Sequence, residues 1–260
     1  MDPLPGEVAG VVVRLDGEAP QDRMPTCDTN ADPLCPGEPA FNFYTMEVVQ
    51  RIGYDSFTPD NGVLISRNKD REGRTCGYNC FTWVIDAHPE DINMVDFVKP
   101  DGTKVMRTIA DYRQLNDALF HAGIDSGSQY EWKDEANRLH FYVLDVKRNA
   151  QGILSYMVGV RSLDAAGPHQ RGAVATLEGT ELVLQHTGNA WDIYRVSASI
   201  EGSGWSVRLA NALAAMPEGW TSRIPLHVTQ GTGAATLTVT ATSESDPLKQ
   251  AVVTSKLPAR

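Results

Sequence analysis

From Tyr44 to Ser66 the chain reads YTMEVVQRIGYDSFTPDNGVLIS, and it opens by alternating: Tyr44, Met46 and Val48 fall on one side, Thr45, Glu47 and Val49 on the other. Side chains of a strand point to its two faces in turn, so this period predicts a half-buried strand. Gly53, Pro59-Asp60 and Asn61-Gly62 then punctuate the backbone, Asn-Gly being a pair suited to positive φ in a tight turn. Val63, Leu64 and Ile65 form a short apolar run of the kind a strand buries on both faces. Strand patterns also cover Val8 to Leu15, Phe81 to Asp86, Leu139 to Lys147 and Ile153 to Val160, the last two joined through Asn149-Ala150-Gln151-Gly152 as a hairpin. The stretch Arg67 to Asn79 is polar and turn-rich and reads as an exposed loop. A helical step recurs in Ile109, Tyr112, Leu115, Leu119 and Ala122, which predicts an amphipathic helix over 109–122, stopped by Gly123 and covering a sheet face.

The pattern shifts at Asp164-Ala165-Ala166-Gly167-Pro168, where we place a boundary between a β-rich domain, 1–166, and a second domain, 167–260. Beyond it run seven short apolar-polar stretches: Ala173 to Leu177, Glu181 to His186, Asp192 to Ile200, Trp205 to Leu209, Ser222 to Thr229, Ala235 to Thr242 and Lys249 to Ser255, each ended by Gly, Asn, Asp or Pro. That spacing predicts an immunoglobulin-like sandwich. The expected fold class is all-β, mainly antiparallel, with one or two short helices.

Composition narrows the partners. A hydrophobic content of 42% with 22% charged residues is that of a globular rather than a disordered chain. The net charge is −10, the pI is near 5.0, and the basic residues are scattered, which argues against nucleic acid and anionic membrane surfaces. No apolar run reaches the length of a membrane span. The opening MDPLPGEVAG has neither the basic nor the apolar region of a secretion signal, and whether Met1 is the natural start stays open. Cys27 with Cys35 and Cys76 with Cys80 form local pairs in loops rich in Pro, Gly and Asp, the usage of small disulfides in an oxidising compartment. One four-thiolate zinc site is the alternative, but the spacing is not that of a zinc knuckle.

The residues Phe43-Tyr44, Glu47, Gln50, Gly53-Tyr54-Asp55, Pro59 and Gly62-Val63-Leu64-Ile65 resemble the β-rich segment that follows the zinc-binding helix in secreted metallopeptidases of the immune inhibitor A, thuringilysin-like, type. In the second half, Thr187-Gly188-Asn189, Asp192-Ile193-Tyr194, Gly204-Trp205 and Ser245-Asp246-Pro247 resemble bacterial extracellular immunoglobulin-like modules. The first resemblance implies a secreted protein and a neighbouring zinc domain upstream, with Glu47 pointing toward it to orient a buried partner. A solvent-facing Glu47 is the plainer alternative.

The chain does not itself carry the chemistry of such a peptidase. A zinc peptidase needs two histidines one helical turn apart with a glutamate between them to activate water. The six histidines, His88, His121, His140, His169, His186 and His227, include no pair four residues apart. No Gly-x-Ser-x-Gly elbow and no phosphate-cradling glycine loop occurs either, so no catalytic residue is assigned. Asp86, His88 and Glu90, with Asp91, form the richest polar cluster, able in principle to hold a metal or transfer protons, or simply to be a solvated strand end. Asp55, Asp60 and Asn61 can bind calcium, although turn formation explains them equally well. Trp191, Trp205 and Trp220 are either core or a platform for sugar, and strand tryptophans in a sandwich are expected in the core.

Two functional expectations result. The first is the non-catalytic carboxy-terminal portion of a secreted zinc metallopeptidase, inert alone, supporting the catalytic domain of the same protein and engaging protein substrate or a cell-surface polymer. The second, from a different class, is a free-standing extracellular protein of two β modules that binds carbohydrate or cell-wall polymer. A hydrolase built on Asp86, His88 and Glu90 is a distant third.

Overall fold

In the computed structural model, residues 10–16, 41–56, 58, 60–68, 83–91, 94–106, 118–164 and 167–259 are described. The chain divides into two compact units, one of Met1–His121, Gly127–Tyr130 and Val146–Met157, the other of Ala122–Ser126, Glu131–Asp145 and Val158–Arg260. The architecture is all-β and antiparallel. The described residues hold no α-helix, only two single 3₁₀ turns at Gly53–Asp55 and Pro89–Asp91.

The first unit is built on a sheet of β1 (Gly10–Arg14), β2 (Phe43–Val49), β3 (Gly62–Asn68) and β4 (Trp83–Val84), in that order. Its register sets Met46 opposite Ile65 and Val48 opposite Val63. The alternation read along β2 therefore becomes a face: Tyr44, Met46, Val63 and Ile65 are all buried, while Glu47 on the other face is exposed. Each such apolar side chain contributes about 1.5–3 kcal/mol on leaving water. A short hairpin, β5 (Val95–Val98) with β6 (Lys104–Met106), carries a bulge between Val95 and Phe97.

β7 (Glu131–Asp134), β8 (Leu139–Arg148) and β9 (Leu154–Ser162) form a three-stranded sheet, and the division between the units runs through β8 and β9. Their predicted hairpin is present. Gly152 takes φ 85°, and the Asn149 side chain accepts the backbone N–H groups of Gln151 and Ile153 at 3.0 and 2.9 Å.

The remaining eight strands are β10 (Ala173–Glu178), β11 (Glu181–His186), β12 (Asp192–Glu201), β13 (Ser206–Leu209), β14 (Leu213–Met216), β15 (Thr221–Thr229), β16 (Ala235–Ser243) and β17 (Gln250–Leu257). They make two four-stranded sheets, ordered β10-β11-β15-β13 and β14-β12-β16-β17. Leu182 and Leu184 from one sheet and Tyr194, Val196, Leu237 and Val239 from the other close a shared core, which makes this part a two-sheet sandwich. β16 shows why: Ala235, Leu237, Val239, Ala241 and Ser243 point inward, and the intervening threonines Thr236, Thr238, Thr240 and Thr242 put β-branched side chains on the outer face.

Two expectations change, and a third lies outside the described residues. The helix predicted over 109–122 lies outside the described residues as far as 117, and its last turn is extended rather than helical. Phe120 there exchanges backbone hydrogen bonds with Val63 at 2.9 Å. The loop predicted from Arg67 begins later, because Arg67 and Asn68 pair within β3. Cys27, Cys35, Cys76 and Cys80, and with them the disulfide expectation, lie outside the described residues.

Candidate functional site

The residues singled out by sequence do not gather. Asp60 Oδ1 accepts the N–H of Asn61 at 2.7 Å, Asn61 Oδ1 accepts that of Arg51 at 2.8 Å, and Asp60 Oδ2 lies 2.9 Å from His121 Nε2. The Asp55 carbonyl caps Thr58 Oγ1 at 2.8 Å. These groups brace the connection from β2 to β3. Glu47 is exposed by area, yet neighbouring chain withdraws enough water from its carboxyl to raise its pKa, and the Asp55 charge adds to that. Asp86 Oδ1 accepts the backbone N–H of His88 at 2.8 Å, the His88 ring meets the Gly127 carbonyl, and Glu90 is exposed on the 3₁₀ turn.

Two sequence motifs do meet. Asp192 is buried, and its carboxylate accepts Ser243 Oγ at 2.6 Å and Ser245 Oγ at 2.8 Å, so the Asp-x-Tyr and Ser-Asp-Pro motifs close on one another across the second unit. Tyr194 beneath them is pushed up to about 12 by burial and by the Asp192 charge.

The densest polar constellation was not singled out by the sequence. Glu131 stands opposite Tyr142 in the β7–β8 register and Lys133 opposite His140, so Glu131, His140 and Tyr142 share one face of that sheet. His140 and Tyr142 are completely buried, with their rings 3.9 Å apart. Tyr142 donates to Glu244 Oε2 at 2.7 Å, lies 2.6 Å from His140 Nδ1 and accepts Arg161 Nε at 2.7 Å. His140 Nε2 faces Glu131 Oε2 at 3.0 Å. Arg195 closes the ring, giving one N–H to Glu131 and another to Glu244, each at 2.6 Å.

Burial alone would raise the Glu131 carboxyl, but the hydrogen bonds from His140 and Arg195, with the Arg195 charge, outweigh it and bring it down to about 2. Glu244 is lowered for the same reason, with Arg195 and Tyr142 as its donors overcoming burial. Burial raises the Tyr142 phenol, and Glu244 raises it further against the opposing pull of Arg161, so it keeps its proton. Two ionised carboxylates, two guanidiniums and a protonated phenol that are bonded to one another hold a structure; they do not present a nucleophile. The arrangement buckles β7 and β8 to β12 and to the end of β16.

These residues do not fit a catalytic zinc. His121 is taken by Asp60, His140 by the ring just described, and His186 Nδ1 by the Pro217 carbonyl at 3.0 Å. Among the described residues no three His, Cys, Asp or Glu side chains converge on a common point. No helix among them is long and apolar enough to cross a membrane.

One end of the sandwich departs from expectation. Trp191 and Trp220, expected in the core, are 66% and 57% exposed, and Trp205 is half-buried with its Nε1 on the Gly233 carbonyl at 3.2 Å. Trp191 lies in the connection from β11 to β12 and Trp220 in the turn from β14 to β15. Because Asp192 pairs with Met216 and His186 N–H donates to the Trp220 carbonyl at 2.8 Å, both rings belong to the same end.

Comparison with known proteins agrees with a metallopeptidase-like chain. Over 98% of its length it is 39% identical to a protein of the fungus Arthroderma benhamiae named "Putative secreted metallopeptidase". The chain spans 41% of that relative's length. No solved structure matches it. A Peptidase M6-like domain is present at residues 172–259. Residues 1–163 match the family model described as a middle domain, and the chain belongs to that family.

Proposed function

We infer that this chain is a non-catalytic portion of a secreted zinc metallopeptidase resembling the immune inhibitor A type, and that the zinc-binding helix is carried elsewhere in the same protein. The observation that carries this reading is the lopsided match: 39% identity over 98% of this chain, but only 41% of a relative named as a secreted metallopeptidase. The absence of any His-Glu-x-x-His among the 260 residues and the self-satisfied ring at Tyr142 support it. The domain of residues 1–166 then lies beside the catalytic domain, and the sandwich, which we read as immunoglobulin-like, serves as spacer or targeting module for protein substrate or a cell-surface polymer. Calcium at Asp55, Asp60 and Asn61 belongs to the same proposal, and binding there has to compete with the turn hydrogen bonds of Asp60 and Asn61.

Two measurements test it. The complete transcript is expected to encode a His-Glu-x-x-His, and its absence sinks the reading. The purified chain is expected to leave casein intact with or without added zinc; turnover that follows the chain through purification would show that it is catalytic.

A further inference from the structure

We propose that the end of the sandwich bearing Trp191 and Trp220 is a binding surface for an uncharged polysaccharide of β-linked pyranose sugars. The inference goes beyond the peptidase reading and does not depend on it. Large aromatic side chains left in water on a well-packed sandwich need a reason, since burying either ring would stabilise the fold. The backbone that carries the two indoles is tied down. The Trp220 carbonyl accepts His186 N–H at 2.8 Å and its own N–H reaches the Pro217 carbonyl at 3.1 Å, while the Trp191 carbonyl accepts from Arg171 Nη1. The neighbouring loops are tied by Asn189 N–H to the Gln170 carbonyl at 3.1 Å and by Thr187 N–H to the Gly172 carbonyl at 2.9 Å. Loops tied in this way lose little backbone freedom when a partner arrives.

Charge selects the class of partner. The segments 167–172, 187–191 and 217–220 and the adjoining turn 245–249, tied to Asp192 through Ser245, build this end; Arg171 and Lys249 offset Glu218 and Asp246 there, in a chain whose net charge is −10. A neutral surface on an acidic protein matches a neutral ligand. The side chains around the rings select it further. Thr187, Asn189 and Thr221 are exposed at this end, so hydroxyl and amide groups accompany the two rings in water. A pyranose with equatorial hydroxyls presents the complementary pattern: a face of C–H groups to lie on an indole and a rim of hydroxyls to hydrogen-bond.

The test is co-sedimentation of the whole chain with cellulose, chitin and an insoluble β-1,3-glucan, with casein-coated beads as the protein comparison. Retention on at least one polysaccharide is expected, with Trp191→Ala and Trp220→Ala each lowering it about tenfold, as loss of one stacked ring would. Both positions are exposed, so unchanged circular dichroism and melting are expected of the variants. Leu248→Ser, altering the 91% exposed Leu248 on the β16–β17 turn, is expected to leave retention unchanged. Failure to bind any of the polysaccharides, or binding that survives both tryptophan substitutions, overturns the proposal. So does a weakening by Leu248→Ser equal to that of the tryptophan variants, or tryptophan-dependent capture by casein alone, either of which would mark a protein-docking surface instead. None of these outcomes alters whether a zinc motif is encoded elsewhere.

Discussion

At the scale of single residues, Gln50 shows what a buried amide can do. Its Nε2 donates to the Gly152 carbonyl at 2.8 Å and its Oε1 accepts Leu154 N–H at 2.9 Å, so one side chain pairs with a hairpin backbone as a neighbouring strand would. Replacing it by leucine strands both partners, and Gln50→Leu is expected to cost about 2–3 kcal/mol, read from the shift in urea midpoint at constant slope. Tyr142 is the counterpart in the second unit. Tyr142→Phe keeps the ring and its packing but takes one donor from Glu244 and one acceptor from Arg161, at an expected cost of about 1–3 kcal/mol. A loss well under about 0.5 kcal/mol would mean that the phenol is dispensable and that Arg195 and Arg161 hold Glu244 without it.

At the scale of elements, Gly62 carries an instructive correction. The Asn61-Gly62 pair reads as a turn of positive φ, yet Gly62 is not among the described glycines with positive φ. A Cβ at this position would instead sit 2.7 Å from Leu119 Cβ and 3.0 Å from the Phe120 carbonyl oxygen, so the glycine is there to let the 118–120 segment lie against the start of β3. Gly62→Ala is therefore expected to destabilise by about 1–3 kcal/mol, and to speed hydrogen exchange at the Val63 and Phe120 amides more than at Leu182 or Leu237. β14 was missed for the opposite reason. Leu213-Ala214-Ala215-Met216 has no alternation, because three of its four residues are buried, and alanine favours helix over strand in isolation. The pairing with β12 makes it a strand.

At the scale of the whole molecule, the closed ring of charges ties stability to pH. Glu131 is held at about 2 against an ordinary value of 4.5, and Glu244 is also lowered. A carboxyl with a depressed folded pKa contributes stability that is present above its unfolded value and is lost as pH falls through the folded one. The melting temperature of the second unit is thus expected to hold from neutral pH down to about 4.5 and to fall between there and about 2. Glu131→Gln should lower the neutral-pH value and flatten that acid slope. A wild-type melting temperature that stays level down to pH 2 would show that the ring carries no net stability.

The strand content, the two faces of β2, the β8–β9 hairpin and seven of the eight sandwich strands were legible along the chain, because period and turn residues are local properties. The missing His-Glu-x-x-His motif is likewise a matter of residue spacing alone. The charged ring was not legible: Glu131 meets Arg195 across 64 positions and Tyr142 meets Glu244 across 102, and nothing local distinguishes those residues from solvated ones. The exposure of Trp191 and Trp220 was misread, since a ring's hydrophobicity predicts burial and only the arrangement of the loops decides which rings the core has room for. Local chemistry chose the elements, and long-range pairing chose which polar groups would share their charge and which aromatic faces would be left in water.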